Sequence, residues 1–162
     1  MAGKPKRVAI AVDNSEHALH AFRFYMQNFG HPEDYIVFIH IPEMYNFVDA
    51  SPSVIHELLI EIKKNIKALE DKFTGEMKIC GVKHGKFCTK EGKPGQEIVK
   101  KAEEEKCDVI VVGSRGLGKF KRVLFGSTSS YLVHHAHIPV LVFKHPDDHK
   151  EETEQTQQQM QE

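Results

Sequence analysis

Residues 108–130 read DVIVVGSRGLGKFKRVLFGSTSS and hold a strand, a glycine-rich loop and the start of a helix. The run Asp108–Val112 is short, apolar and β-branched, which is typical of a strand buried on both faces. Residues Gly113–Phe125 mix glycine with lysine and arginine and predict a loop. From Ser127 to His137 the pattern is helical. A buried strand, a loop and a helix in this order form the repeating unit of α/β proteins.

The same alternation of apolar strands and amphipathic helices runs through the rest of the chain. The remaining predicted elements are strands at Val8–Val12, Tyr35–Ile41, Val82–Cys88 and Pro139–Phe143, and helices from Ala18 to Phe29, over Val54–Phe73 and over Gln96–Lys106. The longest helix carries one apolar stripe: Ile55, Leu58, Leu59, Ile62, Ile66, Leu69 and Phe73. We therefore predict an α/β domain over residues 1–145, with an open five-stranded parallel sheet and helices on both faces.

Composition excludes several classes of protein. The chain has 162 residues, 40% of them apolar and 28% charged, which suits one globular domain. A net charge of -1 gives no overall attraction to nucleic acid or acidic membranes. No apolar run reaches the roughly 20 residues that span a bilayer, and no signal-peptide pattern is present, so we expect a cytoplasmic location. Three cysteines without a Cys-x-x-Cys pair predict buried, inert thiols (Cys80, Cys88 and Cys107).

The C-terminal segment 146–162 differs from the domain before it. Its charged residues are mainly acidic, glutamines surround them, and apolar side chains are almost absent. Such a segment cannot bury enough surface to offset its ordering entropy. We predict a disordered acidic tail, for which a role in binding a partner is an open alternative.

The loop and the helix after it have the chemistry of a polyphosphate site. Gly126, Ser127 and Thr128 occupy the predicted first turn of a helix, where free N–H groups and the helix dipole favour an anion. Four cations precede that turn: Arg115, Lys119, Lys121 and Arg122. Each feature also has a simpler interpretation as a capped helix start, a flexible loop or a solvated face. Their coincidence after a central strand favours the anion site.

Better-known sites are excluded by single positions. A P-loop needs Ser or Thr after Gly118-Lys119, and Phe120 stands there. A dinucleotide fingerprint belongs after the first strand, where Asp13-Asn14-Ser15 stands instead. A receiver domain needs an aspartate after the third strand, which ends Cys88-Thr89-Lys90. The histidines at 134, 135 and 137 lie at a helix end without a carboxylate or thiol to complete a metal site.

Four segments resemble the universal stress protein family. The family's ATP-binding motif is Gly, two residues, Gly, nine residues, then Gly with Ser or Thr; Gly113, Gly116, Gly126 and Ser127 match it without a gap. The segments Val8–Glu16, Ile36–Glu43 and His135–Val142 resemble its first strand, its second strand and its closing helix-to-strand junction. The resemblance covers Arg7 to Lys144.

This resemblance implies a ligand and a set of contacts. The ligand is ATP, with Mg²⁺ shared through its phosphates, and the fold is the family's five-stranded sheet. Asp13 would bind the ribose, and the backbone of Ile41 would bind the adenine edge. Gly113 and Gly116 would lie close to the ribose and phosphates, and Val112 and Arg115 would line the pocket. The β- and γ-phosphates would be bound by Gly126, Ser127 and Thr128. It also implies a homodimer through the last strand, Val140–Phe143. Asn14 departs from the glycine of many members, which alters the turn but keeps the carboxylate.

We therefore expect a nucleotide-dependent switch or sensor in a stress response, with protein partners unknown. No acid or histidine stands in the loop to activate water, so turnover should be slow or negligible. Two alternatives stay open. One is a weak ATPase or an enzyme that phosphorylates itself among Ser127, Thr128, Ser129 and Ser130. The other is a dimeric interaction module whose nucleotide loop is vestigial.

Overall fold

The structure is a computed structural model, and it describes residues 3–43, 45, 47–114 and 126–146. Strands and helices alternate along these residues as the sequence predicts. In chain order the elements are β1 (Arg7–Ala11), α1 (Glu16–Asn28), β2 (Tyr35–His40), α2 (Pro52–Ile79), β3 (His84–Thr89), α3 (Pro94–Glu104), β4 (Val109–Ser114), α4 (Ser127–His135) and β5 (Val140–Lys144). The predictions for Arg115, Gly116 and nearly all of the tail lie outside the described residues.

The five strands form one parallel sheet in the order β3-β2-β1-β4-β5. On the central strand β1, Ile10 pairs with Phe38 of β2 on one side and with Val111 of β4 on the other. The chain therefore proceeds outward in one direction from β1 to β3 and in the other from β4 to β5. The reversal between β1 and β4 opens a crevice at the carboxyl edge of the sheet, where such folds bind ligands. The predicted fold class is confirmed.

Each face of the sheet has its own core. Helices α1 and α2 cover one face, where Val8, Ile10, Phe22, Phe38 and Phe73 pack together. Helices α3 and α4 cover the other, where their Ile98 and Leu132 pack on strand residues such as Ala9, Val37 and Ile110. The central strands are apolar without alternation because both of their faces are buried.

Helix α2 is longer than predicted and extends past the sheet. It begins at Pro52 behind the N-cap Ser51 and runs 28 residues to Ile79, beyond the expected end at Phe73. It is about 42 Å long, about twice the roughly 20 Å of a six-residue strand. Its N-terminal half therefore overhangs the carboxyl edge. Leu59, expected in the core, is 44% exposed for this reason.

Other boundaries also differ from the predictions. Helix α4 ends at His135 instead of His137, since Ala136 is already extended (φ -72°, ψ 139°) ahead of Pro139. Strand β4 continues past Val112, because Gly113 and Ser114 pair with Phe143 and Lys144 of β5. Gly113 therefore belongs to a strand and not to the loop.

A carboxylate ties three elements together beside the sheet. Glu105, just after α3, lies 2.6 Å from both Lys86 of β3 and Lys101 of α3 and 3.3 Å from Arg7 of β1. Hydrogen bonds from Lys101 and then Lys86 lower the pKa of Glu105 to about 2. This network fixes the edge strand β3 and the end of α3 to β1.

The three thiols are buried to different degrees. Cys107 is buried, and Cys80 and Cys88 are half-buried. Burial is the main cause that raises the pKa of each thiol, to about 11 for Cys107. A raised pKa favours the protonated, less nucleophilic thiol. The prediction of burial holds for Cys107 but not for Cys80 and Cys88.

Candidate functional site

A cleft of about 1280 Å³ opens at the carboxyl edge of the sheet. It lies beyond the ends of β1, β2 and β4, between the first turns of α1 and α4 and the overhanging half of α2. It gathers the predicted site residues that the structure describes, namely Asp13, Ile41, Val112, Gly113, Gly126, Ser127 and Thr128. Arg115 and Gly116 lie outside the described residues.

The turn after β1 places a carboxylate at the cleft. Asp13 Oδ1 accepts a hydrogen bond from the Ser15 amide at 2.9 Å and another from the Ser15 hydroxyl. The Ser15 hydroxyl in turn accepts from the Ala18 amide at 3.2 Å and caps α1. Ser15 therefore caps the helix, and Asp13 holds Ser15 in place.

Gly113 is required by packing between β4 and α1. A Cβ atom at this position would lie 2.5 Å from the carbonyl oxygen of His17 and 2.7 Å from its carbonyl carbon. Both are backbone atoms of the first turn of α1, so neither can move aside as a side chain can. The absence of a side chain at Gly113 thus has a reason in the fold, independent of any ligand.

Gly126 is in the opposite situation at the start of α4. Its backbone angles (φ -63°, ψ 161°) are open to any residue. Among the described residues, a Cβ atom there would meet only the Ser129 hydroxyl, at 3.8 Å. Nothing among the described residues around it demands glycine at this position.

The N-terminus of α4 lines the cleft. Its first helical bond runs from the Ser130 amide to the Gly126 carbonyl at 2.9 Å, so the preceding amides have no acceptor within the helix. Among the described residues no side chain caps α4, and none caps α3, whereas serines cap α1 and α2. Ser127 and Thr128 line the cleft, and Ser129 is 2% exposed with its hydroxyl donated to the Gly126 carbonyl.

Several cleft residues were missed by sequence reasoning. His17 of α1, His40 of β2 and Lys72 of α2 bring titratable or positive groups to the lining, and Ile62 and Ile66 give it an apolar wall. This wall exists because α2 extends beyond the sheet. The sequence did not indicate it, because an apolar stripe on a helix normally predicts packing in the core. One feature of the sequence could have identified His40 as a cleft residue: it is a polar residue at the end of an apolar strand.

Two further features are absent from the described ranges. No helix there combines the length and apolarity needed to cross a bilayer. The same residues contain no group of three or more histidine, cysteine or acidic side chains placed to bind a metal. His135 instead stacks on Tyr131, with 4.0 Å between ring centroids.

Comparison with known proteins agrees with this architecture. The model of the universal stress protein family matches residues 4–144. A universal stress protein of Methanocaldococcus jannaschii, MJ0531, is 31% identical over 150 residues, which cover 87% of this chain and 83% of that protein.

Solved structures share the fold. The Arabidopsis thaliana family protein At3g01520, solved with AMP bound, superposes with a TM-score of 0.67 at 24% identity, covering 89% of this chain and 95% of that one. A universal stress protein in complex with cAMP superposes with a TM-score of 0.64 at 20% identity, covering 86% and 97%. With its sheet order, its cleft and a family match over residues 4–144, the chain belongs to the universal stress protein family.

Proposed function

We propose that this chain binds ATP, with Mg²⁺ held through the nucleotide phosphates, in the cleft at the carboxyl edge of its sheet. One observation carries the proposal: the uncapped N-terminus of α4 opens into the same cavity as Asp13 and Ile41. The anion site at one end suits the phosphates of a nucleotide. The carboxylate and the strand end at the other suit its ribose and its base.

The residues suit each part of that ligand. The amides and hydroxyls of Ser127 and Thr128 are donors for phosphate oxygens, and Gly126 leaves room for their approach. Asp13 offers acceptor oxygens to ribose hydroxyls, and the backbone of Ile41 has hydrogen-bonding groups for the adenine edge. Mg²⁺ prefers few protein ligands and keeps phosphates and water around it, so bound phosphates are its expected source of ligands.

The relatives support an adenine nucleotide. One protein of the same fold was solved with AMP and another with cAMP. The α4 amides make this chain a candidate for discriminating ATP from AMP.

The same proposal includes a role for the complex. We propose a switch or sensor that presents a different surface when nucleotide is bound, in a homodimer formed through β5, in the cytoplasm. Strand β5 is an edge of the sheet, and an edge strand offers unpaired backbone groups to a second copy.

Thermal unfolding tests ATP binding directly. ATP with Mg²⁺ at about a hundred times its Kd should add about 2.7 kcal/mol of stability. For a chain of this size that raises Tm by roughly 5–10 °C. AMP and GTP at equal concentration are the controls and should shift Tm less. Absence of a shift with ATP, in protein free of copurified nucleotide, would refute the proposal and favour the interaction module.

We predict slow turnover in the same site. The described first turn of α4, Gly126–Ser129, offers amides and hydroxyls but no carboxylate or imidazole of its own to activate water. Phosphate release from ATP and Mg²⁺ should stay well below about 1 s⁻¹, the lower end for kinases. A steady-state rate above that value would make the chain an enzyme. Intact mass after incubation would reveal self-phosphorylation, for which buried Ser129 is a poor acceptor.

A further inference from the structure

The β1–β2 ladder ends in an unusual way beside the cleft. Within it, the Val12 amide donates to the Ile39 carbonyl at 2.9 Å. In a parallel ladder the carbonyl of that same residue accepts from the amide two positions further along the partner strand. The expected donor to the Val12 carbonyl is therefore the amide of Ile41.

A side chain takes that donor's place. The Val12 carbonyl lies 2.9 Å from Nδ1 of His40. A carbonyl oxygen can only accept, so Nδ1 carries the hydrogen and donates it. No bond from the Ile41 amide to Val12 is present among the described backbone hydrogen bonds. On its other side β2 continues regularly, since the Lys90 amide donates to the His40 carbonyl at 3.1 Å.

We propose that His40 is a positioning residue: its imidazole replaces the last ladder bond between β1 and β2 and so reserves the Ile41 amide for the base of the nucleotide. This inference rests on the proposed function, because it assumes that a base lies against Ile41. Without His40, the Ile41 amide turns to Val12 and the ladder closes by one residue.

The consequence is selectivity for the base. A backbone amide and carbonyl at one strand end match adenine, whose pairing edge accepts at N1 and donates from the 6-amino group. Guanine donates at N1 and accepts at O6, so the same backbone groups oppose it. Loss of the Ile41 amide removes the bond that distinguishes the two bases.

Two substitutions separate the hydrogen bond from the shape of the side chain. His40→Phe keeps a ring against Phe87, whose centroid lies 6.3 Å away, but removes the donor. His40→Asn places an amide donor near the position of Nδ1. Both are made in the full chain, and Tm without ligand reports folding.

The first readout is hydrogen exchange of the Ile41 amide in nucleotide-free protein, measured by NMR. We expect rapid exchange in the wild type and in His40→Asn, and exchange at least about tenfold slower in His40→Phe as the ladder closes. An Ile41 amide that is already protected in the wild type overturns the inference.

The second readout is the ratio of Kd for GTP to Kd for ATP. Loss of one hydrogen bond should lower this ratio about tenfold in His40→Phe, and His40→Asn should restore it. If the wild type prefers ATP and His40→Phe has the same ratio of Kd values, the role of His40 is overturned and the proposed ATP site is not. A wild type that binds neither nucleotide overturns the proposed function and this role with it.

Discussion

Gly126→Val should raise the Kd for ATP by more than about a hundredfold while the chain stays folded. The added methyl groups occupy the space through which a phosphate approaches the α4 amides. Loss of two charge-assisted hydrogen bonds, at about 1.5–3 kcal/mol each, accounts for that factor. The fold should tolerate the change, because among the described residues only the Ser129 hydroxyl lies within 4 Å of the new Cβ atom. Calorimetric titration with ATP and Mg²⁺, with Tm measured beside it, checks both expectations.

Gly113→Ala is the matched control for this experiment. Its Cβ atom collides with the backbone of His17, and such overpacking costs typically about 1–3 kcal/mol of folding stability. We expect Gly113→Ala to lower Tm whether or not nucleotide is present. Retention of wild-type ATP affinity in Gly126→Val would show that the α4 terminus is not the phosphate site. If a partner of the ATP-bound form is found, its unchanged binding to Gly126→Val would refute the switch.

Asp34→Ala should destabilise the chain by about 3–5 kcal/mol, a large part of the stability of an ordinary domain. The Asp34 side chain is fully buried in the turn between α1 and β2. It accepts from the amides of Lys6 at 2.8 Å and His31 at 2.9 Å, and from the Tyr25 hydroxyl at 3.3 Å. Truncation leaves these donors without an acceptor.

Urea denaturation measures this loss, and two milder variants calibrate it. Tyr25→Phe removes one long hydrogen bond and should cost about 1 kcal/mol. Asp34→Asn keeps one acceptor oxygen and should fall between the two. Since Asp34 lies at the amino edge of the sheet, the folded fraction of each variant should bind ATP normally. A cost below about 1 kcal/mol for Asp34→Ala would contradict the structural role given to this carboxylate.

Much of the fold could be predicted from local pattern. Strands such as Tyr35–His40 are buried on both faces, so their composition alone identifies them. Helix α1 likewise shows its start in Ser15 and its buried face in Phe22 and Tyr25. The ends of these elements were predicted less accurately than their existence. The end of β4 depends on pairing with β5, and α2 extends beyond the sheet on which it packs.

The candidate site was also predictable from the sequence only in part. The sequence by itself determined which residues follow the strand ends, and parallel topology brings such residues to one edge. Only the tertiary structure decided that Gly113 packs against His17 while Gly126 is less crowded by the described residues, since a glycine's neighbours can come from distant parts of the chain. The same holds for His40, whose partner Val12 is 28 residues away. Spacing fixes local conformation and order, whereas contacts between elements fix what each side chain touches.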